Sequence, residues 1–301
     1  MPVLELRVAT LNISGGEKTF EEFPHDTQQS RQEALKILVD RLDADVLCLQ
    51  EVSQFIDADG VTHSLMDAVN QAGGYDYSFY GQTVSMKDHM QVKKDVMVKG
   101  VFNDWWDWSK GNAVHARIPF ARLGNPSRPG LPRNIPLYQP IIYEGTRDTD
   151  PRFVLISRLK TAPFPFVATL HLTTMLGERA PQRLPAKLEA AQILRYQQIR
   201  RFLDLVREHI LHKDEPLILA GDFNASPEEF CLAHLLESEN GFVRLVPEKE
   251  GPSHASSEQL IDHIFFYPHQ RLLDYTCRIE SGDLSRRASD HLPVVADLQI
   301  K

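Results

Sequence analysis

The sequence has few cysteines, and this scarcity excludes two kinds of stabilising site. Three cysteines occur among the 301 residues. Cys48, Cys231 and Cys277 are far apart, odd in number and without a CxxC spacing. This pattern argues against a disulfide framework and against a thiolate metal site. We therefore expect all three side chains to be small, buried apolar groups.

Long apolar runs are also absent. No stretch approaches the roughly 20 apolar residues that a membrane-spanning helix requires. Residues 4–11 already have the pattern of a strand, and no basic segment followed by an apolar run precedes them. We therefore expect neither a membrane span nor a cleaved signal peptide, and we interpret the chain as cytoplasmic.

The sequence has no overall excess of basic residues. Its formal net charge is −8, which argues against a general nucleic-acid coat, because non-specific binding to phosphate chains depends on clustered Lys and Arg. Residues 86–160 differ, with 13 Lys and Arg against 7 Asp and Glu, or +6, while the remainder has 20 against 34, or −14. This asymmetry fits either solvated loops or a surface that faces an anion.

The residues that are present are typical of a large α/β domain. Hydrophobic residues make up 42% of the chain and charged residues 25%, which is enough apolar mass for a sizeable core. Apolar residues recur at helical spacing in residues 28–42 and from about Pro185 to His212. The predicted strands cover residues 3–12, 45–52, 75–84, 111–120, 152–161, 164–174, 217–224, 260–266, 272–279 and 292–300.

Residues 84–150 are the least regular part of the sequence. Such a long irregular stretch in a compact domain usually carries function or disorder. We expect one domain over residues 1–301, with a divergent insertion at about 84–150. Trp105, Trp106 and Trp108 could stack on a base or cover an acyl or sugar group, but we expect them to anchor this insertion to the core.

The stretch 217–227, LILAGDFNASP, ends an apolar strand on polar side chains. Ser226 and Pro227 fit the cap and the first position of a following helix, so Asp222 and Asn224 are not needed as caps. Because these two residues are separated by one position, they would point to one face of the sheet. There they could bind a cation or a phosphate.

Polar side chains flank apolar runs at five further places. Any one of them is explained by a cap, a turn or a satisfied histidine. Burying several uncompensated polar groups is costly, however, and convergence on one charged ligand compensates them together. The side chains are Asn12 in ATLNIS, Glu51 in LCLQEV, His171 in ATLHLT, Asp262 in LIDHIFF, and Asp290 with His291 in ASDHLPVV.

Seven ordered segments that span essentially the whole chain resemble the endonuclease/exonuclease/phosphatase superfamily, whose members have the deoxyribonuclease I-like fold. The segments are TLNI, LQEV, GNAVHARIP, the histidine of TLHL, GDFNASP, IDHIFF and SDHLPV. The resemblance implies a four-layer α/β/β/α sandwich, in which two mixed sheets pack face to face with helices outside. It also implies a metal-dependent site for phosphoester hydrolysis at one edge of the sheets.

The resemblance implies a metal site for Mg²⁺ or Mn²⁺, ions that prefer hard oxygen ligands. Glu51 matches the family's metal ligand. Asn12 and Asp290 match positions that assist metal binding directly or through water.

The resemblance also implies catalytic roles. Asp222 matches the residue that orients or deprotonates the attacking water, and Asn224 matches a donor to a phosphate oxygen. His291 matches a histidine that contacts the scissile phosphate, with Asp262 as its carboxylate partner. His171 matches a second histidine, which either donates to a phosphate oxygen or protonates the leaving group.

His171 also bears on the subfamily. Apurinic-site endonucleases have a different residue set in this region, which argues against a role in abasic-site repair. Deoxyribonuclease I, sphingomyelinases, inositol polyphosphate phosphatases and deadenylases carry a histidine in comparable sequence. For the acid or tyrosine that buttresses it in the family, Tyr143, Glu144 and Arg152 are candidates. We expect Arg183, Arg195 and Gln198, around the long helix, to make surface or sheet-edge contacts.

Our leading hypothesis is a metal-dependent hydrolase that cleaves a phosphodiester or phosphomonoester by in-line attack of activated water. Its substrate would be a small molecule, a lipid head group or a nucleic acid, with no obligate protein partner. A nuclease is the first alternative, favoured by the +6 segment. A non-catalytic binding module is the second, and the full set of costly polar residues argues against it.

Overall fold

The computed structural model describes residues 3–16, 23, 25–57, 59–92, 107–179, 184–255 and 257–301, and each structural statement below concerns these residues. Arg183 and, from the tryptophan cluster, Trp105 and Trp106 lie outside the described residues. Trp108 lies inside them, with its ring centroid 6.1 Å from that of His89.

Strands and helices alternate along the chain. The helices are α1 Gln28–Leu42, α2 Leu65–Gly73, α3 Met86–Met90, α4 Pro185–Arg207, α5 Phe230–Leu236 and α6 Asp283–Ala288. The strands are β1 Leu4–Asn12, β2 Val46–Ile56, β3 Thr62–Ser64, β4 Tyr77–Ser85, β5 Ser109–Ala116, β6 Ala121–Arg122, β7 Asn125–Pro129, β8 Arg133–Tyr138, β9 Arg152–Arg158, β10 Phe166–His171, β11 Leu217–Asp222, β12 Val243–Arg244, β13 Asp262–Tyr267, β14 Leu272–Ile279 and β15 Val294–Ile300. Short 3-10 helices cover Ser14–Gly16, Arg147–Thr149, Leu211–Lys213 and His269–Arg271.

Local sequence explains where α1 begins and ends. The Thr27 hydroxyl accepts a hydrogen bond from Ser30 N at 3.1 Å, and the Ser30 hydroxyl accepts one from Thr27 N at 2.8 Å. This reciprocal capping satisfies two N–H groups that the first turn leaves free. Asp43 ends the helix in the left-handed region, with φ 46°. The apolar residues predicted at helical spacing are buried: Ala34, Leu35, Leu38, Val39 and Leu42.

Two large mixed sheets form the centre of the described structure. The first has the strand order β14-β15-β1-β2-β5-β4, with β3 paired to β2, and the second has the order β12-β13-β11-β10-β9-β8. Each sheet contains one parallel pair, β1 with β2 and β10 with β11. Strands β6 and β7 form a separate ribbon. The sheets therefore combine parallel and antiparallel pairing, as the resemblance implies.

Three apolar clusters show how the layers stack. Between the sheets, side chains such as Val8 and Cys48 of the first sheet pack with Val167 and Ile218 of the second. The outer face of the first sheet packs against α1, α2 and α6. The outer face of the second packs against α4 and α5. This arrangement confirms the four-layer α/β/β/α sandwich.

A buried hydrogen-bond cluster connects the two sheets. Gln50 of β2 is completely buried, and its Nε2 lies 2.9 Å from Thr169 Oγ1 on β10 and 3.1 Å from Thr10 Oγ1 on β1. These bonds compensate the burial of the amide, which would otherwise be costly. They also fix the position of β2 relative to β10 next to the strand ends that carry the predicted polar residues.

The helices differ from the sequence predictions mainly at their ends. The long helix α4 begins at Pro185 as predicted but ends at Arg207, five residues before His212. Ser226 is not the N-cap that the sequence predicts, because α5 begins only at Phe230. The Ser226 carbonyl instead accepts a turn hydrogen bond from Glu229 N at 2.9 Å.

The structure bears on two further sequence predictions, the burial of the cysteines and the lack of a membrane-spanning helix. Cys48, Cys231 and Cys277 are free and buried, as expected. None of the helices that the structure describes is long and apolar enough to cross a membrane.

A buried histidine is expected to make the fold sensitive to acid. His115 of β5 is completely buried, and burial lowers its pKa to about 3. A histidine in an unfolded chain titrates near pH 6.5, so the folded state resists protonation. The free energy of unfolding should therefore fall as the pH drops below that value, by roughly 3 kcal/mol at pH 4.5 from this residue alone.

Urea unfolding at pH 7 and pH 4.5 measures this effect. His115→Gln should lose less stability than the wild type between the two pH values, because glutamine does not titrate. His209→Gln, at an exposed position, is the matched control and should behave as the wild type. Equal acid sensitivity of His115→Gln and the wild type would contradict the prediction.

Candidate active site

Six segments bring the predicted site residues to one edge of the sandwich. In each parallel pair the two strands run in the same direction, so Asn12 lies beside Gln50 and His171 beside Asp222. Strand β13 runs the opposite way and begins at Asp262, paired with Asp222. The topology thus collects strand ends from both sheets. A hydrogen bond of 3.0 Å from Asn12 Nδ2 to Asp222 Oδ2 joins the two halves.

Glu51 lies at an irregularity within β2. The sequence predicts that it ends the strand, but β2 continues to Ile56. The pairing with β5 shifts between Leu49 and Val52, and Glu51 has φ 57°. A β-bulge with one residue in the left-handed region re-aims a side chain out of the regular alternation.

Two donors hold the Glu51 carboxylate. Lys110 Nζ lies 2.6 Å from Oε2, and Asn12 Nδ2 lies 3.3 Å from Oε1. Burial raises the pKa of this carboxyl, but the charge and hydrogen bond of Lys110 together with the facing histidines 171 and 291 outweigh burial and hold the pKa well below the usual range. Glu51 is therefore an anion at neutral pH, as a ligand for a hard cation must be.

Asn12 connects Glu51 with Asp222 through its amide. Its Nδ2 donates to both carboxylates, and its Oδ1 accepts a hydrogen bond from Ser14 N at 2.9 Å. The hydroxyl of Ser289 donates to the Asn12 carbonyl oxygen at 2.5 Å. With its amide nitrogen facing the carboxylates, Asn12 fits a role that assists a metal through hydrogen bonds or water.

Asp222 is placed by a close approach of two strands. A Cβ atom on Gly221 would lie 2.1 Å from the Leu170 carbonyl oxygen, so only glycine fits before Asp222. Burial raises the pKa of Asp222, but the facing histidines 171 and 291 and the charge of Arg179 outweigh it and lower the pKa below the ordinary value. The carboxylate is therefore ionised although it is almost fully buried.

Asn224 lies in the left-handed region, with φ 51°. Its backbone N donates to Asp222 Oδ1 at 2.9 Å, and its Nδ2 donates to the Leu172 carbonyl oxygen at 3.0 Å. Arg179 donates to Asn224 Oδ1 at 2.8 Å and to its backbone oxygen at 2.6 Å. These bonds fix the amide so that one N–H of Nδ2 is left to donate elsewhere.

His291 is held between two carboxylates. Its Nδ1 lies 2.9 Å from Asp262 Oδ2, and its Nε2 lies 3.8 Å from Asp222 Oδ2. Burial lowers the pKa of His291, but Asp262 and Asp222 outweigh burial and raise the pKa to about 10. Ser253 donates to Asp262 Oδ2 at 2.7 Å and orients that carboxylate. The imidazole is therefore a cation at neutral pH.

His171 has the opposite protonation. Its Nε2 lies 3.3 Å from Asp222 Oδ2. Burial, assisted by the positive charge of Arg152, lowers its pKa to about 4. At neutral pH it is therefore a neutral ring that can donate one hydrogen bond and accept another.

Asp290 carries an unsatisfied oxygen. Its Oδ1 is buried and has no hydrogen-bond partner among the described residues. Its backbone oxygen accepts a hydrogen bond from Ala255 N at 2.8 Å, which anchors the segment before His291. A buried carboxylate oxygen without a donor is costly, and a bound cation would compensate it.

Among the described residues, the most compact group of side chains that could ligate a metal differs from the predicted metal site. Ligand atoms of Asp222, Asp262 and His291 lie within 4.8 Å of one another. The hydrogen bond between Asp262 and His291 explains this compactness without an ion. We therefore retain Glu51, with Asn12 and Asp290, as the metal prediction.

Several functional side chains escape the sequence prediction. Lys110, Arg179 and Ser253 contact Glu51, Asn224 and Asp262, and neither Arg179 nor Ser253 stands at a strand end beside an apolar run. Their partners lie 59, 45 and 9 residues away. The one sequence signal is the position of Lys110 immediately before GNAVHARIP.

Of the three candidates for a buttress of His171, Tyr143 and Glu144 are consecutive residues, and Arg152 begins β9. The Tyr143 hydroxyl lies 3.1 Å from His89 Nε2, and Glu144 is exposed. Neither contacts His171 by a hydrogen bond that the structure describes. Arg152, in contrast, lines the same cleft as His171.

Solved structures share this fold at low sequence identity, which demonstrates similarity of fold alone. An endonuclease/exonuclease/phosphatase from Beutenbergia cavernae DSM 12333 matches with a TM-score of 0.68 and 20% identity, over 98% of this chain and 72% of that one. One from Bacteroides vulgatus matches with a TM-score of 0.65 and 13% identity, over 99% and 100%. TDP2 from C. elegans matches with a TM-score of 0.59 and 14% identity, over 98% and 75%.

Comparison with known sequences shows the family of this chain. No curated protein sequence matches this chain significantly. A family model, in contrast, matches residues 9–291, which include every predicted site residue. The chain therefore belongs to the Endonuclease/Exonuclease/phosphatase family.

Proposed function

We propose that the chain is a metal-dependent phosphoesterase that hydrolyses a phosphodiester or phosphomonoester by in-line attack of water. One observation carries this proposal. The ionised, buried carboxylate of Asp222 lies 3.3 Å from the neutral ring of His171 and 3.8 Å from the cationic ring of His291. A base for water thus lies beside two donors for a phosphoryl group.

Asp222 is assigned to the attacking water. Its carboxylate stays ionised at neutral pH and has two oxygens, one of which accepts from the backbone of Asn224. A fixed carboxylate of this kind aligns a water molecule for attack and accepts its proton as the bond to phosphorus forms.

His291 and Asn224 are assigned to the phosphoryl oxygens. The imidazolium of His291 supplies a positive charge where negative charge develops, and Asp262 keeps its ring oriented. The free N–H of the Asn224 amide adds a neutral donor. Donors that are fixed before the reaction stabilise the transition state more than water does.

His171 is assigned a hydrogen bond to the phosphoryl group. Because its pKa is about 4, the ring is neutral at pH 7 and has no second ring proton to give to a leaving group. The neutral ring can still donate one hydrogen bond to a phosphoryl oxygen from its protonated nitrogen. Of the two roles that the sequence leaves open, we therefore favour donation to a phosphate oxygen.

The donor set fits Mg²⁺ or Mn²⁺. Glu51 and the unsatisfied oxygen of Asp290 would hold the ion, and Asn12 would assist through its amide. When bound, a divalent cation stabilises negative charge on phosphoryl oxygens as a Lewis acid. Lys110 orients Glu51 by donating to Oε2, the carboxylate oxygen that Asn12 does not contact.

Metal removal tests this proposal. Purified protein should hydrolyse chromogenic phosphodiesters or phosphomonoesters with Mg²⁺ or Mn²⁺, lose that activity in EDTA and regain it on adding the metal. Glu51→Gln should bind Mn²⁺ at least about tenfold more weakly by calorimetry, because it loses a charged ligand. Glu189→Gln, at an exposed position on α4, should bind as the wild type.

Two results would contradict the proposal. Hydrolysis that EDTA leaves unaffected would show that the reaction does not depend on a metal. No phosphate release from a broad ester panel would favour the non-catalytic binding module.

A nuclease remains the second candidate, because residues 86–160 carry 13 Lys and Arg against 7 Asp and Glu. Nucleic-acid binding weakens steeply with salt, since each neutralised phosphate releases counterions. Cleavage of single-stranded DNA or RNA with a steep salt dependence of KM, beside poor activity on small esters, would favour the nuclease.

A further inference from the structure

A cleft of about 160 Å³ opens beside the candidate active site. Glu51 and His171 form part of its lining, so it begins where the phosphoryl group would lie. The remaining charged residues of the lining are Lys110, Arg147, Asp150 and Arg152.

Arg152 is unusual among the buried arginines. Arg31, Arg158 and Arg195 are also at most 5% exposed, and each donates hydrogen bonds to carbonyl or carboxylate oxygens. Arg152 is 5% exposed, and its Nε has no partner. Its guanidinium forms no ion pair or hydrogen bond with any residue that the structure describes. Only its backbone is paired, with Tyr138 of β8.

An unpaired guanidinium in this position is costly. Arginine stays protonated in proteins, so it cannot lower the cost of burial by losing its charge. A buried charge without a partner destabilises the folded state. The cost is removed when an anionic ligand supplies the missing acceptor.

The other charges of the cleft do not supply that acceptor. Glu51 is bound to Lys110 at 2.6 Å, and Asp150 accepts a hydrogen bond from the Tyr143 hydroxyl at 3.4 Å. Arg147 is exposed and adds a second guanidinium to the lining. Three cations therefore face two carboxylates, and the excess is positive.

We propose that Arg152, with Arg147 and Lys110, binds a second phosphoryl group of the substrate that is not itself hydrolysed. A guanidinium presents paired N–H donors that match two phosphate oxygens. The substrate class is then a phosphoester with another phosphate near the scissile one. This inference rests on the proposed function, because the scissile group is assigned to the adjacent residues.

Binding of inorganic pyrophosphate to the metal-free protein tests the subsite without catalysis. By calorimetry, Arg152→Gln should bind pyrophosphate at least about tenfold more weakly than the wild type, because a charge-assisted pair of hydrogen bonds is lost. Arg122→Gln, at an exposed position on β6, is the matched control and should bind as the wild type. Unchanged affinity in Arg152→Gln would overturn the subsite.

Thermal unfolding separates a ligand role from a structural one. Without ligand, Arg152→Gln should have an unfolding midpoint equal to or above that of the wild type, because an uncompensated charge is removed. Pyrophosphate should raise the midpoint of the wild type more than that of the variant. A large drop in the midpoint of the ligand-free variant would show that Arg152 is structural and would overturn the inference.

A matched substrate pair tests the consequence for specificity. Thymidine 5′-(p-nitrophenyl phosphate) is compared with the same ester carrying a 3′-phosphate. The wild type should show kcat/KM at least about tenfold higher for the phosphorylated ester, and the ratio should approach one in Arg152→Gln. Equal values in the wild type would overturn the subsite.

The two tests also separate this inference from the proposed function. If no ester of the broad panel is hydrolysed while pyrophosphate binding still depends on Arg152, the proposed hydrolysis fails and the anion subsite stands. If both esters are hydrolysed equally and pyrophosphate binding ignores Arg152, hydrolysis stands and the subsite fails.

Discussion

Asp222→Asn is expected to lower kcat about a thousandfold while the protein still folds, since acid–base groups typically contribute 10²–10⁴ to the rate. The amide keeps the shape of the side chain and can still accept a hydrogen bond from Asn12. It cannot take a proton from water, and it removes a negative charge that faces His291. The measurement is kcat at saturating metal, with circular dichroism and thermal unfolding to confirm folding.

Asp204→Asn is the matched control for this experiment, because Asp204 is exposed on α4 and forms no hydrogen bond or ion pair with a site residue that the structure describes. Its kcat should equal that of the wild type. Turnover by Asp222→Asn within about tenfold of the wild type would remove Asp222 from the role of base, since that residual rate exceeds what loss of such a group leaves.

Arg195→Met is expected to lower the free energy of unfolding by about 3–5 kcal/mol, the range found when one partner of a buried ion pair is removed. Arg195 is 1% exposed and lies between two carboxylates. Its Nε is 2.6 Å from Glu229 Oε1, and its Nη1 is 3.0 Å from Glu178 Oε1. Methionine fills a similar volume but leaves both acids buried without their cation.

Urea unfolding at neutral pH measures this loss. Arg201→Met, at an exposed position on the same helix, should change stability by no more than about 0.5 kcal/mol. A loss below about 1 kcal/mol in Arg195→Met would mean that water or another cation compensates Glu178 and Glu229, and would contradict the assignment.

The same ion pairs extend to the candidate active site. Glu178 Oε1 lies 3.4 Å from Arg179 Nη2, and Arg179 holds both oxygens of Asn224. Arg195 also donates to the Thr173 carbonyl oxygen at 3.0 Å, two residues after His171. The segments that follow strands β10 and β11, after His171 and Asp222, are thus fixed to the long helix α4 by buried charges.

Elements with strong periodicity could be predicted from the sequence, and weakly patterned ones could not. Helix α1 carries both a cap and an apolar stripe, so its bounds follow from local chemistry. The short helix α6 and the strands β6 and β7 have few apolar residues and depend on tertiary contacts. Ser226 was wrong as a cap because Glu229, three residues later, is held by Arg195, and the helix begins after Glu229.

Long polar side chains were the main source of error. We expected Arg195 and Gln198 to make surface or sheet-edge contacts, whereas both are buried. Gln198 Oε1 accepts from Thr173 N at 3.1 Å, and Arg195 binds acids 17 and 34 residues away. Pairing over such separations is set by the fold, and one sequence does not reveal it.

The candidate site likewise combines residues that the sequence predicted with residues that it did not. Strand ends beside apolar runs, together with the resemblance, predicted the residues that the fold brings near Asp222. Arg152, at the start of β9, was named only as a candidate buttress of His171. The cations that orient the site, Lys110 and Arg179, lie elsewhere in the sequence. Their positions depend on the β2 bulge and on the loop after β10, which have no periodic pattern.

The buried amide of Gln50 has a mechanical consequence. Because it bonds to Thr10 in its own sheet and to Thr169 in the opposite one, it resists shear of one layer over the other. Glu51, the next residue, belongs to the half of the site that would hold the cation, and Asp222 belongs to the half that would hold the water. Sliding of the layers would therefore separate cation from nucleophile before either sheet lost its own hydrogen bonds.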